Sequence, residues 1–455
     1  MIFERIFSEG LAHNSYLIGS GQKAVVIDPR RDCGIYQDIA FRHECVIKHI
    51  FETHRNEDYV TGSRELQERC GAEIYHGSHM DFSYGNPVKD GDRFVVGTLE
   101  ITVLETPGHT EESISLAIRD LEVSDQPYMV FTGDTLFAGD IARTDFFGQE
   151  RKAEMAGKIF SSISEKLLSL GDGVIVCPAH GAGSVCGGEI ADHPFTTIGY
   201  ERKTNPVLGL GKEGFIAKRI TESPYIPPYF RQMEILNRTG APLLPRGQSF
   251  RPLATRDVDE FRKTGCQLID IRAPTSFGAG HIPGSLSVWR EGISAFLGWF
   301  ADYEKPIILI DDFNQNLEAV HHQCIRLGYD NITGFLAGGF PGWTKAAREI
   351  GTIPTCSVQE LRERRETGTP YLLDVRDIKN RRAVGFIPGS DHIYVGEVPQ
   401  HMEQIPRDQP VYIYCDAGYK GSLVASFLAA RNYHNITNVL GGMTAWKQAG
   451  FRVEK

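Results

Sequence analysis

The stretch "FETHRNEDYVTG" (51–62) has the frame of a metal-binding loop with half of its imidazoles replaced. A His-x-His-x-Asp-His loop would hold two metal ions, and here the same positions read His54, Asn56, Asp58 and Tyr59. His109 after "ITVLETPG", Asp134 after "YMVFTG" and His180 after "VIVCPA" share the context of His54, each directly following an apolar run. Imidazoles and carboxylates are metal donors. Such residues in one context point to a metal site, and the alternative is a degenerate scaffold that holds none.

The apolar runs before these residues are short and β-like, with helical stretches between some of them, notably 149–170. Strands alternating with helices predict an α/β domain. Side chains at the carboxyl ends of neighbouring strands converge on one rim of a sheet. The Gly and Pro of "TPGH", "TGD" and "PAH" supply the tight exits that turn those side chains into the crevice. Residues 1–220 read as this domain. Residues 221–250, rich in Pro and Gly, read as an ordered linker with one short helix at "YFRQMEIL".

Beyond the linker the chain repeats itself. "LIDIRAPTSFGAGHIPGS" (268–285) returns as "LLDVRDIKNRRAVGFIPGS" (372–390), and "FLAGGFPGW" (335–343) as "VLGGMTAW" (439–446). A period of about 100 residues is too long for a solenoid and suits two copies of one small domain, 251–352 and 353–455. Each copy alternates apolar runs with helical text, as a parallel α/β sheet requires.

The bulk numbers agree with a multidomain globular chain. A formal net charge of −10 argues against nucleic-acid binding and for a soluble protein. No signal-like start is read, and no apolar run approaches the roughly 20 residues needed to span a bilayer. Nine scattered cysteines without a C-x-x-C pair fit reduced thiols and a cytoplasmic setting.

"THRNED", "TPGHTEES", "TGDTLF" and "PAHGAGS", in this order, resemble the metallo-β-lactamase superfamily, which implies an αβ/βα sandwich. The nearer resemblance, in "TGDTLFAGDIARTDFFG" and "TIGYERKTNP", is to persulfide dioxygenases. In two-metal members, positions 54, 56 and 109 would hold one ion and 58, 59 and 180 the other, with Asp134 bridging. Asn56 and Tyr59 each remove an imidazole. The set that survives, His54, His109 and Asp134, is the two-histidine, one-carboxylate set of non-haem Fe(II) oxygenases. The resemblance thus implies one Fe(II) per chain, with zinc as the alternative. Asn56, Asp58 and His180 are expected to orient ligands or bound water. Arg143, in "IARTD", matches a family arginine and either meets a substrate anion or makes a structural ion pair. Cys186, in a glycine-rich loop, is a reactive candidate set against an inert buried thiol. His76 and His79 lack a third partner and read as structural.

Asp-x-Arg, G-x-I-P-G-S and the closing GG-x-x-x-W make both repeats resemble rhodanese domains. In that family a cysteine ends the second central strand. The C-terminal copy has it in "YIYCDAGYKGS": Cys415, then a loop of Asp416, Ala417, Gly418, Tyr419, Lys420 and Gly421. Sulfur transfer needs a thiolate, and a place before a helix N-terminus lowers a thiol pKa. Backbone N–H groups of such a loop would hold the persulfide. Lys420 adds charge suited to an anionic acceptor. In the first copy Asp311 stands at the cysteine position, so that copy reads as silent; Cys266 and Cys324 do not replace it. Phe386 stands in the active copy where the first has His281.

These resemblances imply a persulfide dioxygenase coupled to a thiosulfate-type sulfurtransferase. Its partners would be a low-molecular-weight persulfide of glutathione or coenzyme A type, O₂, and sulfite or thiosulfate, without nucleic acid or membrane. The silent domain offers surface for a homo-oligomer. A hydrolase of glyoxalase II type and a metal-free sulfur carrier working only through Cys415 are the rival readings.

Overall fold

The computed structural model describes residues 1–245 and 250–455, so the end of the expected linker, 246–249, lies outside the described residues. The chain forms two compact units, one of Met1–Pro245 with Ile325–Gly328 and the other holding the remainder. Among the described residues, no helix is long and apolar enough to cross a membrane.

The first unit is built on two six-stranded sheets. One runs in sequence order through Ile2–Ser8, His13–Ser20, Lys23–Ile27, Val46–Phe51, Glu73–Gly77 and Asn86–Val88. The other is ordered Thr196–Thr197, Ile175–Pro178, Met129–Gly133, Ile114–Asp120, Leu99–Glu105, Arg93–Val96. Alternation shows in Leu99–Glu105, where Leu99, Ile101 and Val103 are buried and the residues between are not. Those side chains meet Ile18, Val25, Ile27 and Phe51 of the facing sheet in one core. Residues of the opposite pleat, such as Val26 and Ile50, or Val130 and Val176, pack instead against outer helices. Four layers, helix–sheet–sheet–helix, result. This is the expected αβ/βα sandwich.

The second unit holds two five-stranded sheets of one order. Arg251–Leu253, Ile332–Leu336, Ile307–Ile310, Gln267–Asp270 and Leu286–Ser287 form the first, all parallel. Thr355–Cys356, Ile436–Val439, Val411–Tyr414, Tyr371–Asp374 and Asp391–His392 form the second. The repeated motifs are structural pins. Each Asp-x-Arg is a buried ion pair, Arg272–Asp270 and Arg376–Asp374, both at 2.7 Å. Each arginine also donates to a carbonyl, of Gly280 or Gly385, at 2.7 Å. Trp343 and Trp446 close each copy, their Nε1–H groups donating to the carbonyls of Glu349 and Arg452 at 2.8 Å. His281 stacks on Phe277, whereas Phe386 lies under the Arg381 guanidinium.

Candidate metal centre and sulfur-transfer loop

Strands Val46–Phe51 and Met129–Gly133 end just before His54 and Asp134, and Leu99–Glu105 ends a few residues before His109. Gly133, at φ +52°, makes one approach unusually close, since a Cβ there would lie 2.5 Å from Thr53 Oγ1. Asp134 Oδ2 lies 3.7 Å from His54 Nε2 and 3.5 Å from His109 Nε2. Two donor atoms each about 2.1 Å from a shared ion lie at most about 4.2 Å apart, so Asp134 is within reach of an ion shared with either histidine.

Their other polar atoms are already engaged. Thr53 Oγ1 gives its hydrogen to Asp28 Oδ2 at 2.8 Å, so its 3.0 Å contact with His54 Nδ1 is one in which the imidazole donates. His109 Nδ1 donates to the Arg143 carbonyl at 2.9 Å. Both rings therefore turn Nε2 toward Asp134, the nitrogen that a metal would take. Asp134 Oδ1 is held by His180 Nδ1 at 2.7 Å, which leaves Oδ2 for the centre. Nε2 of both histidines and Oδ2 of Asp134 are buried without a hydrogen-bond partner. Buried polar atoms are seldom left so, and a cation would satisfy all three.

Electrostatics differ among the donors: burial opposes charge on His109, but Glu57 and then Asp134 raise its pKa above the ordinary value. Burial, against the pull of Asp134, pushes His54 down to about 4, so its ring is neutral at pH 7. Asp134 is buried, yet His180 and His54 hold its carboxyl far below the usual range. His180 lies between two carboxylates, with Nε2 3.0 Å from Asp58 Oδ2. Burial opposes its charge, but Asp134 and Asp58 together raise its pKa well above the ordinary value. With both nitrogens directed at carboxylates, His180 is a brace for Asp134.

Tyr59 packs against the ring of buried His13 at 4.1 Å, so the lost imidazole is replaced by aromatic packing. Asn56 donates to the His54 carbonyl at 3.3 Å. Arg143 is spent on Asp145, with Nε and Nη2 each 2.7 Å from a carboxylate oxygen, and it is the Arg143 backbone that orients His109. Cys186 is buried and its sulfur falls within 4.8 Å of donor atoms of His109 and Asp134. Burial and then the Asp134 carboxylate push its pKa well up, as for an inert thiol. His76 bonds the Tyr84 carbonyl at 2.7 Å and His79 pairs with Glu105, both away from the centre.

Sequence reading missed Glu57, a buried carboxylate with Oε2 3.5 Å from His109 Nε2. It also missed Asn237, whose amide donates to the carbonyls of Asn56 and Tyr59 at 2.6 and 2.8 Å and accepts from Thr61 N. The helix Phe230–Thr239 that carries it comes from text expected only to connect. An acidic residue between two replaced histidines was the available signal for Glu57.

In the second unit, strand Val411–Tyr414 runs into Cys415, and helix Tyr419–Ala429 begins after residues 416–418. Gly418, at φ +102°, turns its N–H onto Cys415 Sγ at 3.1 Å. The loop is fixed from behind. Met443 N donates to the Cys415 carbonyl at 2.8 Å, and Asn438 donates to that of Gly418 at 3.0 Å. Lys420 pairs with Asp416 at 3.2 Å. A cleft of about 260 Å³ beside the loop is lined by Asp416, Asn380, Thr444 and Lys447 among others. The first copy touches this site: Trp289 meets the Tyr419 ring edge-on at 5.2 Å, and Ser287 bonds Ser422 and Ser426 at 2.9 Å. At the equivalent position Asp311 lies 3.4 Å from Arg290.

Comparison with known proteins agrees with this architecture. A family model of the metallo-beta-lactamase superfamily matches residues 9–180, and one of the rhodanese-like domain matches 255–346 and 357–449. The crystal structure of a metallo-beta-lactamase from Staphylococcus aureus subsp. aureus COL is 30% identical, with a TM-score of 0.66. The match covers 74% of this chain and 98% of that one. Human mitochondrial persulfide dioxygenase ETHE1 is 29% identical over 44% of this chain and 74% of its own length. Hydroxyacylglutathione hydrolase GloC of Haemophilus influenzae is 27% identical over 43% of this chain and 92% of its own. With its sandwich, its strand-exit donors and its two repeats, the chain belongs to the metallo-β-lactamase superfamily and carries two rhodanese-like domains.

Proposed function

We propose that this chain is a persulfide dioxygenase joined to a sulfurtransferase, with one Fe(II) held by His54, His109 and Asp134 and sulfane sulfur carried by Cys415. The observation that carries the reading is the convergence of three buried, unpartnered donor atoms whose ring and carboxylate partners are already engaged. Likeness to human persulfide dioxygenase over the same domain supports the substrate class.

The overall reaction is RSSH + O₂ + H₂O to RSH + sulfite + 2 H⁺. Fe(II), when bound, supplies the one-electron steps that O₂ requires. The chain's own part is to present two imidazole nitrogens and one carboxylate, and to keep that carboxylate ionised through His180. At the second site the Cys415 thiolate attacks the outer sulfur of a persulfide; the S–S bond breaks, the thiol leaves, and Cys–S–S⁻ forms. Sulfite then takes the outer sulfur as thiosulfate and regenerates the thiolate. The product of one site is thus a substrate of the other, with N–H groups of the loop holding the anionic sulfur.

Anaerobically prepared, Fe(II)-loaded protein should consume O₂ when given glutathione persulfide, with sulfite or thiosulfate appearing, and His109→Ala should not. Coenzyme A persulfide serves as the second substrate. No uptake with either, despite bound iron, overturns the dioxygenase. The likeness to GloC favours a second reading, a two-zinc thioesterase; two zinc ions per chain and thioester hydrolysis would establish it. Asn56 and Tyr59, each standing where that reading needs an imidazole, weigh against it.

A further inference from the structure

One buried carboxylate beside the donor set has no role so far. Glu57 is 2% exposed and stands in the loop between Asn56 and Tyr59, the two positions where imidazoles are replaced. Arg55 Nη2 holds its Oε1 at 3.2 Å, and Arg55 is held in turn by Glu234 at 2.7 Å. Its Oε2 has no hydrogen-bond partner and lies 3.5 Å from His109 Nε2. Donor atoms of His54, Glu57 and His109 all fall within 4.8 Å of one another.

Glu57 repeats the construction of Asp134. In both, one carboxylate oxygen is tied to a cationic side chain, His180 or Arg55, and the other is left bare against His109 Nε2 at the same 3.5 Å. A buried anionic oxygen without a donor is costly, and a cation in front of it removes the cost. We propose that Glu57 is a fourth protein donor to the ion held by His54, His109 and Asp134, an inference that rests on the metal centre proposed above. The lost imidazoles are then compensated from within the same loop by a carboxylate.

This changes which ions suit the site. Two carboxylates balance the charge of a divalent ion. Four protein donors close a tetrahedral ion such as zinc, while a six-coordinate ion such as Fe(II) or Mn(II) keeps open positions.

Chelator-competition titration of the metal-free full chain with Fe(II), anaerobically, and with Mn(II) tests it. Glu57→Gln keeps an amide oxygen for Arg55 and loses the anionic donor. Its affinity should fall about tenfold to a hundredfold, the range expected of a lost contact at a metal site. The metal-free unfolding midpoint should not fall, and the visible bands of the Co(II)-loaded protein should change. Glu57→Asp, which retracts the carboxylate by one methylene, should show a smaller loss; it decides the matter alone should the glutamine variant not fold. Unchanged affinity and unchanged Co(II) bands overturn the inference and leave Glu57 as a partner of Arg55, with the three-residue centre intact. Wild-type protein that binds no ion, or His109→Ala that binds as tightly as wild type, overturns the centre itself and Glu57's part with it.

Discussion

The two rhodanese-like copies are the same scaffold with and without a cysteine after the second central strand. Strand order, the buried Asp-x-Arg pair and the tryptophan seal are shared down to hydrogen bonds of equal length. They part at the loop after the second central strand. In the C-terminal copy, residues 416–418 separate Cys415 from the helix at Tyr419; in the first, 312–316 separate Asp311 from the helix at Leu317. The longer loop also carries left-handed Asn314 and Asn316. The first copy therefore differs by more than a sulfur atom: it also lacks the short path that brings a helix N-terminus close behind position 311.

The largest expected contrast is chemical. Cys415→Ser should abolish sulfur transfer, measured as thiosulfate formed from persulfide and sulfite, while Asp311→Ser leaves it within about twofold. Asp311→Cys combined with Cys415→Ser should restore nothing, because the helix starts too late; recovered transfer would show that the cysteine alone was missing. Next in size is the buried pin. Arg272→Met leaves Asp270 without its cation and should cost about 3–5 kcal/mol in urea unfolding. Arg376→Met should cost less, because Asp374 keeps the Tyr414 hydroxyl at 3.0 Å and Arg381 at 3.5 Å; equal costs would mean that these two add nothing.

Gly442→Ala is a smaller, sharper test. Gly442 sits at φ +47° with room for a Cβ only 2.1 Å from the Cys415 carbonyl oxygen, and Gly339 at φ +61° is 2.2 Å from that of Asp312. Either substitution should cost about 1–3 kcal/mol of backbone strain, but only Gly442→Ala should slow transfer. The smallest effect belongs to Trp289→Ala. Loss of its edge contact with Tyr419, a pair worth about 0.5–1.5 kcal/mol, should lower kcat/KM for transfer a few-fold without changing the metal site. An unchanged rate would reduce the first copy to packing alone.

Much of this was readable because strand periodicity and strand ends are local. His54, His109 and Asp134 each follow an apolar run, and sheet geometry does the rest. Charge placement was not readable. Within the metal-loop frame "HRNED", Arg55, Asn56, Glu57 and Asp58 are all buried, because partners distant in sequence, Glu234, Asn237 and His180, neutralise or bind them. Arg143 presented two readings, and only the fold shows that Asp145 occupies its fork. Lys420, read as a charge for the acceptor, is drawn one helical turn back to Asp416.

The reach of Asn237 into the loop has a consequence for how such a chain can be divided. A cut at 220, where composition changes, would separate the loop from the amide that grips the carbonyls of Asn56 and Tyr59, and Arg55 from Glu234. A recombinant fragment meant to keep this loop with its partners should therefore run at least through Thr239. The same holds over evolutionary time: a gene fusion could exchange the modules freely only if the crossover fell after that helix, so the inheritable module is longer than the sandwich it encodes.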